Sequence, residues 1–327
     1  MAYQPDVLKF FALALDPIHV GTGGMRLGRV DMSIVREPGT NLPKIPGTSL
    51  SGACRTYAAM QEDGKFPNCA GQGQPDTNRG YQGHCGQPDC PICVTFGFAK
   101  GSGASFQGLA QFSDARLLFF PVHSLAGPVW VTCPMVLKDV GISEVEPQDG
   151  QVHVASGVKV SKRLNLGWLM LEVAGNDFAP EASQLPGISQ DILHHAVLVS
   201  NKMFGHIVND NLEVRTSVSI DPSTGAVAEG ALFTYEAIPR ASVLYFEVVV
   251  SHPKYYRIAR TVERDGKKQT EYVIPLSDEE HPEGNLDKVK ETVRNGLKLL
   301  EFLGAGGMNT RGMGRLRVLN LNEGGAQ

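Results

Sequence analysis

The stretch that most constrains this chain is residues 19–55, HVGTGGMRLGRVDMSIVREPGTNLPKIPGTSLSGACR, a glycine-rich loop running into a helix. Glycine lets the backbone take positive φ or come close to a bulky partner, so Gly21, Gly23, Gly24 and Gly28 mark a loop shaped around something large. Arg26, Arg29, Arg36 and Lys44 are spread along it as charges able to answer phosphate oxygens. One acid, Asp31, lies between Arg29 and Arg36. After Pro46 and Gly47, Thr48 or Ser49 is expected to cap a helix. That helix would carry Leu50, Ala53, Cys54 and Tyr57 on an apolar face and Thr48, Ser51 and Arg55 on a polar one. A helix N-terminus offers unpaired N–H groups and the positive end of the dipole, which suits an anion. The expectation is a loop and helix that hold a nucleic-acid backbone, with one carboxylate beside it.

A matching element lies at the far end, Gly306-Gly307-Met308-Asn309-Thr310-Arg311-Gly312-Met313-Gly314. No lysine follows a glycine as in a Walker loop, and the first loop lacks GxGxxG, so nucleotide and dinucleotide binding are poorly supported. Glycines with Thr310, Arg311 and Arg315 suit a phosphodiester chain. Ser49, Ser51 and Arg55, with Gly306, Gly307, Thr310, Arg311 and Gly312, are expected to line one groove. The net charge of −4 argues against a general nucleic-acid sponge, so contact must be local.

Hydrophobic residues make up 42% of the 327, enough for a sizeable core. Residues 7–15 read as a buried central strand. Residues 108–122 and 129–137 read as an adjacent pair of strands with Pro128 near the turn. No firm element is assigned over 151–171. Residues 188–204 have helical spacing, with Ile192, Ala196, Val199 and Met203 on one face. A long hairpin is expected around the turn 221–225, a strand over 242–250, and a second hairpin with a charged tip at 264–267. Asn285 caps the clearest helix, with Leu286, Val289, Val293, Leu297 and Leu300 on one stripe, ending at Gly304; residues 316–319 form a last strand. This order implies an α+β sandwich around an antiparallel sheet.

From 61 to 107 the texture turns polar, as in an insertion. It holds Cys69, Cys85, Cys90 and Cys93, the last two as C-x-x-C, with His84 as an alternate ligand. Four thiolates in a stretch without its own apolar core predict one structural zinc with no part in catalysis. No apolar run is long enough to span a bilayer, and the first fifteen residues read as a strand rather than a signal peptide, which predicts a cytoplasmic protein without membrane partners.

The Asp-bearing glycine loop, IPGTSLSG and the terminal Gly-Gly-x-x-Thr-Arg-Gly-x-Gly together resemble the RAMP superfamily of CRISPR effector proteins. FSDARLLFFPVHSLAGPVWVTCP and SIDPSTGAVAEGALFTYEAIP sharpen this towards backbone subunits of type III-B (Cmr) complexes. The resemblance implies one RAMP domain over 1–327, with a ferredoxin-like, RRM-derived palm and a β-hairpin thumb within 201–240. It also implies stacking of copies into a filament on a guide CRISPR RNA with other Cmr subunits, each thumb displacing one guide–target base pair. Target RNA would be cut at six-nucleotide intervals with a divalent metal, Mg or Mn. The family's catalytic aspartate falls on Asp31; His19 and Glu236 are further acid–base candidates. The competing readings are a non-catalytic RNA-binding backbone subunit and a guide-processing endoribonuclease.

Overall fold

The computed structural model describes residues 3–23, 30–71, 75, 78, 82–99, 105–227, 232–264 and 266–322. Gly24, Arg26, Gly28 and Arg29 of the first loop, and Asp265 at the second hairpin tip, lie outside the described residues.

Strand β1 (Asp6–Ala14) is the apolar strand expected at the start of the chain. A short β2 (Lys44–Ile45) leads into helix α1 (Gly47–Met60). The cysteine-rich stretch contributes α2 (Pro91–Phe96) and a small antiparallel pair, β3 (Phe98–Ala99) and β4 (Ser105–Phe106). Then come β5 (Ala110–Phe112) and β6 (Ala115–Ser124), parted at Ser113 and Asp114, followed by β7 (Gly127–Thr132). The expected second strand of this pair stops at Thr132, because Pro134 opens a short helix, α3 (Pro134–Lys138). The unassigned region forms β8 (Gln151–Val154), β9 (Arg163–Leu166) and β10 (Leu169–Gly175).

The helix expected over 188–204 is not one helix. It divides into α4 (Gln190–His194), β11 (Ala196–Val199) and α5 (Asn201–Asp210). All four residues of β11 are buried, as in a strand covered on both faces, and it pairs parallel with β7 and antiparallel with β8. Ser189 and Ser200 each accept a backbone N–H, from Ile192 and Met203, so each serine starts a new helix.

Beyond α5, β12 (Glu213–Ser217) and β13 (Phe233–Ala237) form an antiparallel hairpin, extended by an Ile220–Val227 bridge and turned at Asp221 to Gly225. The expected thumb region 201–240 therefore opens with a helix, and its hairpin occupies the latter part. Next follow β14 (Val243–Val250) and a second hairpin of β15 (Ile258–Arg264) and β16 (Lys267–Val273). The chain closes with α6 (Leu286–Lys298), α7 (Leu300–Leu303) and β17 (Leu316–Val318).

Among the described residues the main sheet runs β17-β1-β14-β6-β7-β11-β8-β10-β9. Most neighbours are antiparallel; β7–β11 and β8–β10 are parallel. This is a mixed sheet rather than the antiparallel one expected, and it retains the α+β character. β1, read from the sequence as central, lies second from one end of this order; it pairs in register with β14, with Phe10 opposite Phe246 and their ring centroids 5.3 Å apart. Helices α1 and α6 pack against each other: the Cys54 thiol donates to the Val293 carbonyl at 3.3 Å, and a Cβ at Gly296 would overlap the Cys54 backbone. Asn285 caps α6 through the Lys288 N–H at 2.8 Å, and Val289, Val293 and Leu297 form its buried stripe, as expected. The stripe's last member, Leu300, belongs to α7. No helix is long and apolar enough to cross a membrane among the described residues.

Candidate functional site

The segment that follows β1 brings Ile18 against Ile238 and His19 against Gly307. The first loop and the terminal glycine loop therefore meet at the foot of the β12–β13 hairpin. The Gly307 N–H donates to the His19 carbonyl at 2.8 Å. Gly306 has φ +87°, and a Cβ there would lie 2.5 Å from the same carbonyl, so this crossing requires glycine. Between this crossing and α1 runs a groove of about 430 Å³, lined in part by Gly21, Ser49, Tyr57, Gly306, Gly307 and Asn309. The Tyr57 hydroxyl donates to the Gly304 carbonyl at 2.7 Å and ties α1 to the glycine loop. Thr310, Arg311 and Gly312 are exposed on the adjoining turn.

The expected groove thus exists, with a changed cast. Ser49, Gly306 and Gly307 line it. Ser51 is half-buried on α1 and is not in its lining. Arg55, expected on the polar face of α1, is buried and points into the cysteine-rich stretch. Its Nε donates to the Cys69 carbonyl and Nη1 to the Gly97 carbonyl, both at 2.8 Å. Two carbonyls of the insertion need donors away from water, and Arg55 supplies them. Lys44 pairs with Asp114 at 2.5 Å. Arg36 pairs with Glu236 at 2.9 Å and also donates to Asn209 and the Ile34 carbonyl. Arg315 is paired with Asp16 at 2.6 Å.

The helix start also differs from expectation. The N-cap position is Pro46, with no side-chain cap, and neither Thr48 nor Ser49 fills the role. Asp114, from the β5–β6 junction, accepts the Gly47 N–H at 2.8 Å. A protein carboxylate therefore occupies part of the anion-friendly end of α1. Asp114 has no local sequence pattern that announces it.

The three acid–base candidates converge on β13. Asp31 Oδ2 accepts the Thr234 N–H at 2.7 Å and the Thr234 hydroxyl at 3.0 Å, and the Asp31 N–H donates to that hydroxyl oxygen at 3.2 Å. The Thr234 backbone N–H, then its hydroxyl, hold the Asp31 carboxyl below its ordinary pKa. Two residues along the strand, about 7 Å at strand rise, His19 Nδ1 donates to the Glu236 carbonyl at 2.6 Å. His19 is buried and packs edge-on to Tyr235 at 5.9 Å. The Glu236 side chain is buried and engaged by Arg36 and the Ile34 N–H, an arrangement that anchors the segment after Asp31. Sequence reasoning missed Thr234; its one signal is a place on the same strand as Glu236, two residues earlier.

The four sulfurs of Cys69, Cys85, Cys90 and Cys93 lie within 4.8 Å of one another. Cys85–Cys93 and Cys69–Cys93 separations are 3.7 Å, and Cys69–Cys90 is 4.0 Å. Sulfurs at the corners of a tetrahedral zinc site with Zn–S of about 2.3 Å lie about 3.8 Å apart. The donor set and spacing fit zinc, and four thiols complete it without His84, which is buried nearby in sequence.

The chain belongs to the RAMP superfamily, which it matches over residues 12–317. It is similar to the CRISPR system Cmr endoribonuclease Cmr4 of Pyrococcus furiosus, at 27% identity over 257 residues, covering 72% of this chain and 79% of that one. A shorter match, 31% over 90 residues, covers 27% of this chain and 31% of the CRISPR system Cms endoribonuclease Csm3 of Methanothermobacter thermautotrophicus. In fold it is similar to a type III-B Cmr-beta apo structure, with a TM-score of 0.61 and 17% identity over 96% of this chain and 97% of that one. The crystal structure of oligomeric Cmr4 from Pyrococcus furiosus gives a TM-score of 0.57 and 19% identity over 95% and 97% of the two chains. The RAMP palm expected from the motifs is compatible with these folds.

Proposed function

We propose that this chain is a repeating backbone subunit of a CRISPR RNA-guided effector filament, which binds guide RNA and cleaves complementary target RNA at six-nucleotide intervals. The observation that carries this reading is the clasp of Asp31 to Thr234 on β13, the strand whose other end is joined through Ile18 and His19 to the terminal glycine loop. Guide phosphates are held by the groove's amides and Ser49, with Arg311 at its rim. The β12–β13 hairpin is the thumb. Val218, Ile220, Val227 and Leu232 are exposed on it, and apolar wedges of this kind enter a base step and unstack it.

An unstacked target nucleotide can reach in-line geometry. Its 2′-oxygen then bonds to phosphorus as the bond to the 5′-oxygen breaks; one proton leaves the 2′-OH and one joins the 5′-oxygen. Holding that geometry is most of the catalysis. Asp31, kept ionised by Thr234, serves as an anionic ligand or charge rather than as a proton donor. His19, whose Nε2 is left for proton transfer when Nδ1 donates, is the acid–base candidate. Thr234 engages Oδ2 of Asp31, and one carboxylate together with substrate phosphates is the ligand set that magnesium commonly takes. A bound Mg or Mn supplies charge neutralisation at the phosphorane. The cysteine set is a structural zinc site remote from this chemistry in role.

In complexes assembled with guide RNA, Asp31→Ala is expected to lower the single-turnover cleavage rate by about two orders of magnitude or more at every site, with target binding retained. Cutting at the normal rate would make Asp31 a turn residue and move the catalytic role to His19 or Glu236.

A further inference from the structure

The clasp between Asp31 and Thr234 joins two segments more than 200 residues apart in sequence, the catalytic loop and the thumb. It is continuous with a short ladder: the Met32 N–H donates to the Thr234 carbonyl at 3.0 Å, and the Glu236 N–H donates to the Met32 carbonyl at 3.1 Å. Residues 31–34 thus run as a parallel bridge along the free edge of β13, while β12 takes the other edge. Within this ladder one side chain reaches the carboxylate. Thr234 supplies Asp31 with two donors on one oxygen and takes back the Asp31 N–H, so both the position and the rotation of the carboxylate are set from the thumb.

We propose that Thr234 is the positioning residue for Asp31, so that the hairpin that displaces the target base pair and the loop that supplies the acid move as one unit. This rests on Asp31 being the catalytic carboxylate. Its physical consequence is that a hairpin displaced by the target strand carries the carboxylate with it. Cleavage is thereby confined to the nucleotide the thumb displaces. An aspartate on an unattached glycine-flanked loop would sample many orientations, and a misplacement of about 1 Å can cost about a hundredfold in rate.

The test uses two substitutions that divide the hydroxyl from the shape. Thr234→Val keeps the β-branched form that suits a strand and removes the hydroxyl. Thr234→Ser keeps the hydroxyl and removes the methyl. Each is assembled with guide RNA, and target affinity and single-turnover cleavage at saturating target are measured beside wild type and Asp31→Ala. The expected result is a loss of about tenfold or more in cleavage rate for Thr234→Val, with target affinity unchanged and Thr234→Ser within about threefold of wild type. Equal loss in both variants, or full activity of Thr234→Val while Asp31→Ala is inactive, would overturn the positioning role alone. Wild-type cutting by Asp31→Ala would instead overturn the catalytic reading on which it rests. If Thr234→Val does not assemble, Thr234→Ser and Thr234→Ala carry the same comparison.

Discussion

At the residue scale the site is a set of pairs that no local pattern announces. Arg36 and Glu236 are 200 positions apart, and their ion pair, with the Ile34 N–H, fastens the segment after Asp31 to the thumb. Asp16 and Arg315 close the other side, where the Leu15 N–H also donates to the Arg315 carbonyl. Arg315's side chain, by hydrogen bond first, holds the Asp16 carboxyl below its ordinary pKa. The unfolded value is about 3.9. A folded pKa below it means that the pair's contribution is fully present above about pH 4 and is lost as pH falls through the lowered folded value. Asp16→Asn should therefore be less stable than wild type at neutral pH, and the gap should shrink as urea melts are repeated below about pH 4. A gap that is constant with pH would show that the charge is immaterial.

At the element scale, two packing decisions fix helix α1, which lines the groove. The first is the close approach of α1 and α6 at Gly296. Alanine is the better helix former by about 1 kcal/mol. Its methyl would meet backbone and the Cys54 sulfur, however, and overpacking costs about 1–3 kcal/mol. Gly296→Ala should therefore lower stability on balance; an unchanged denaturation midpoint would mean that the two helices shift apart freely. The second decision is the cysteine knuckle, to which α1 is tied through Arg55. Native mass spectrometry of unchelated protein should show one zinc, and Cys90→Ser should lose it. The same variant should expose the α2 region to protease while leaving β1 and β14 protected. Protein without metal and with full protease resistance would refute the zinc site.

At the scale of the whole molecule, a chain of net charge −4 has to hold phosphates locally, and the proposed place is the groove between α1 and the terminal glycine loop. Among the described residues of the predicted contact set, Arg36, Lys44, Arg55 and Arg315 are engaged within the protein, and Arg311 is an exposed cation. Arg311→Ala should weaken guide binding and reduce the slope of log K against log salt by about 0.7, the value for one phosphate of a single strand. An unchanged slope, read by titration at several salt concentrations, would place the guide elsewhere.

Much of this was legible in the linear chain, and the reasons divide cleanly. Continuous apolar runs such as β1 and β14 declare buried strands, and a capped amphipathic run such as α6 declares itself by period. The two glycine loops declare a close backbone approach, because few other residues tolerate it. By contrast, the apolar residues of 188–204 satisfied helical spacing, and only pairing with β7 and β8 made Ala196–Val199 a strand. Arg55 has a polar-face address on its helix, yet it turns inward because the insertion presents carbonyls that need donors there. Asp114 at the start of α1 and Thr234 on Asp31 are likewise contacts between distant segments. Periodicity and residue type record what each segment can bury or bind by itself; which partner satisfies it depends on what the folded sheet brings alongside, and that only the tertiary structure decided.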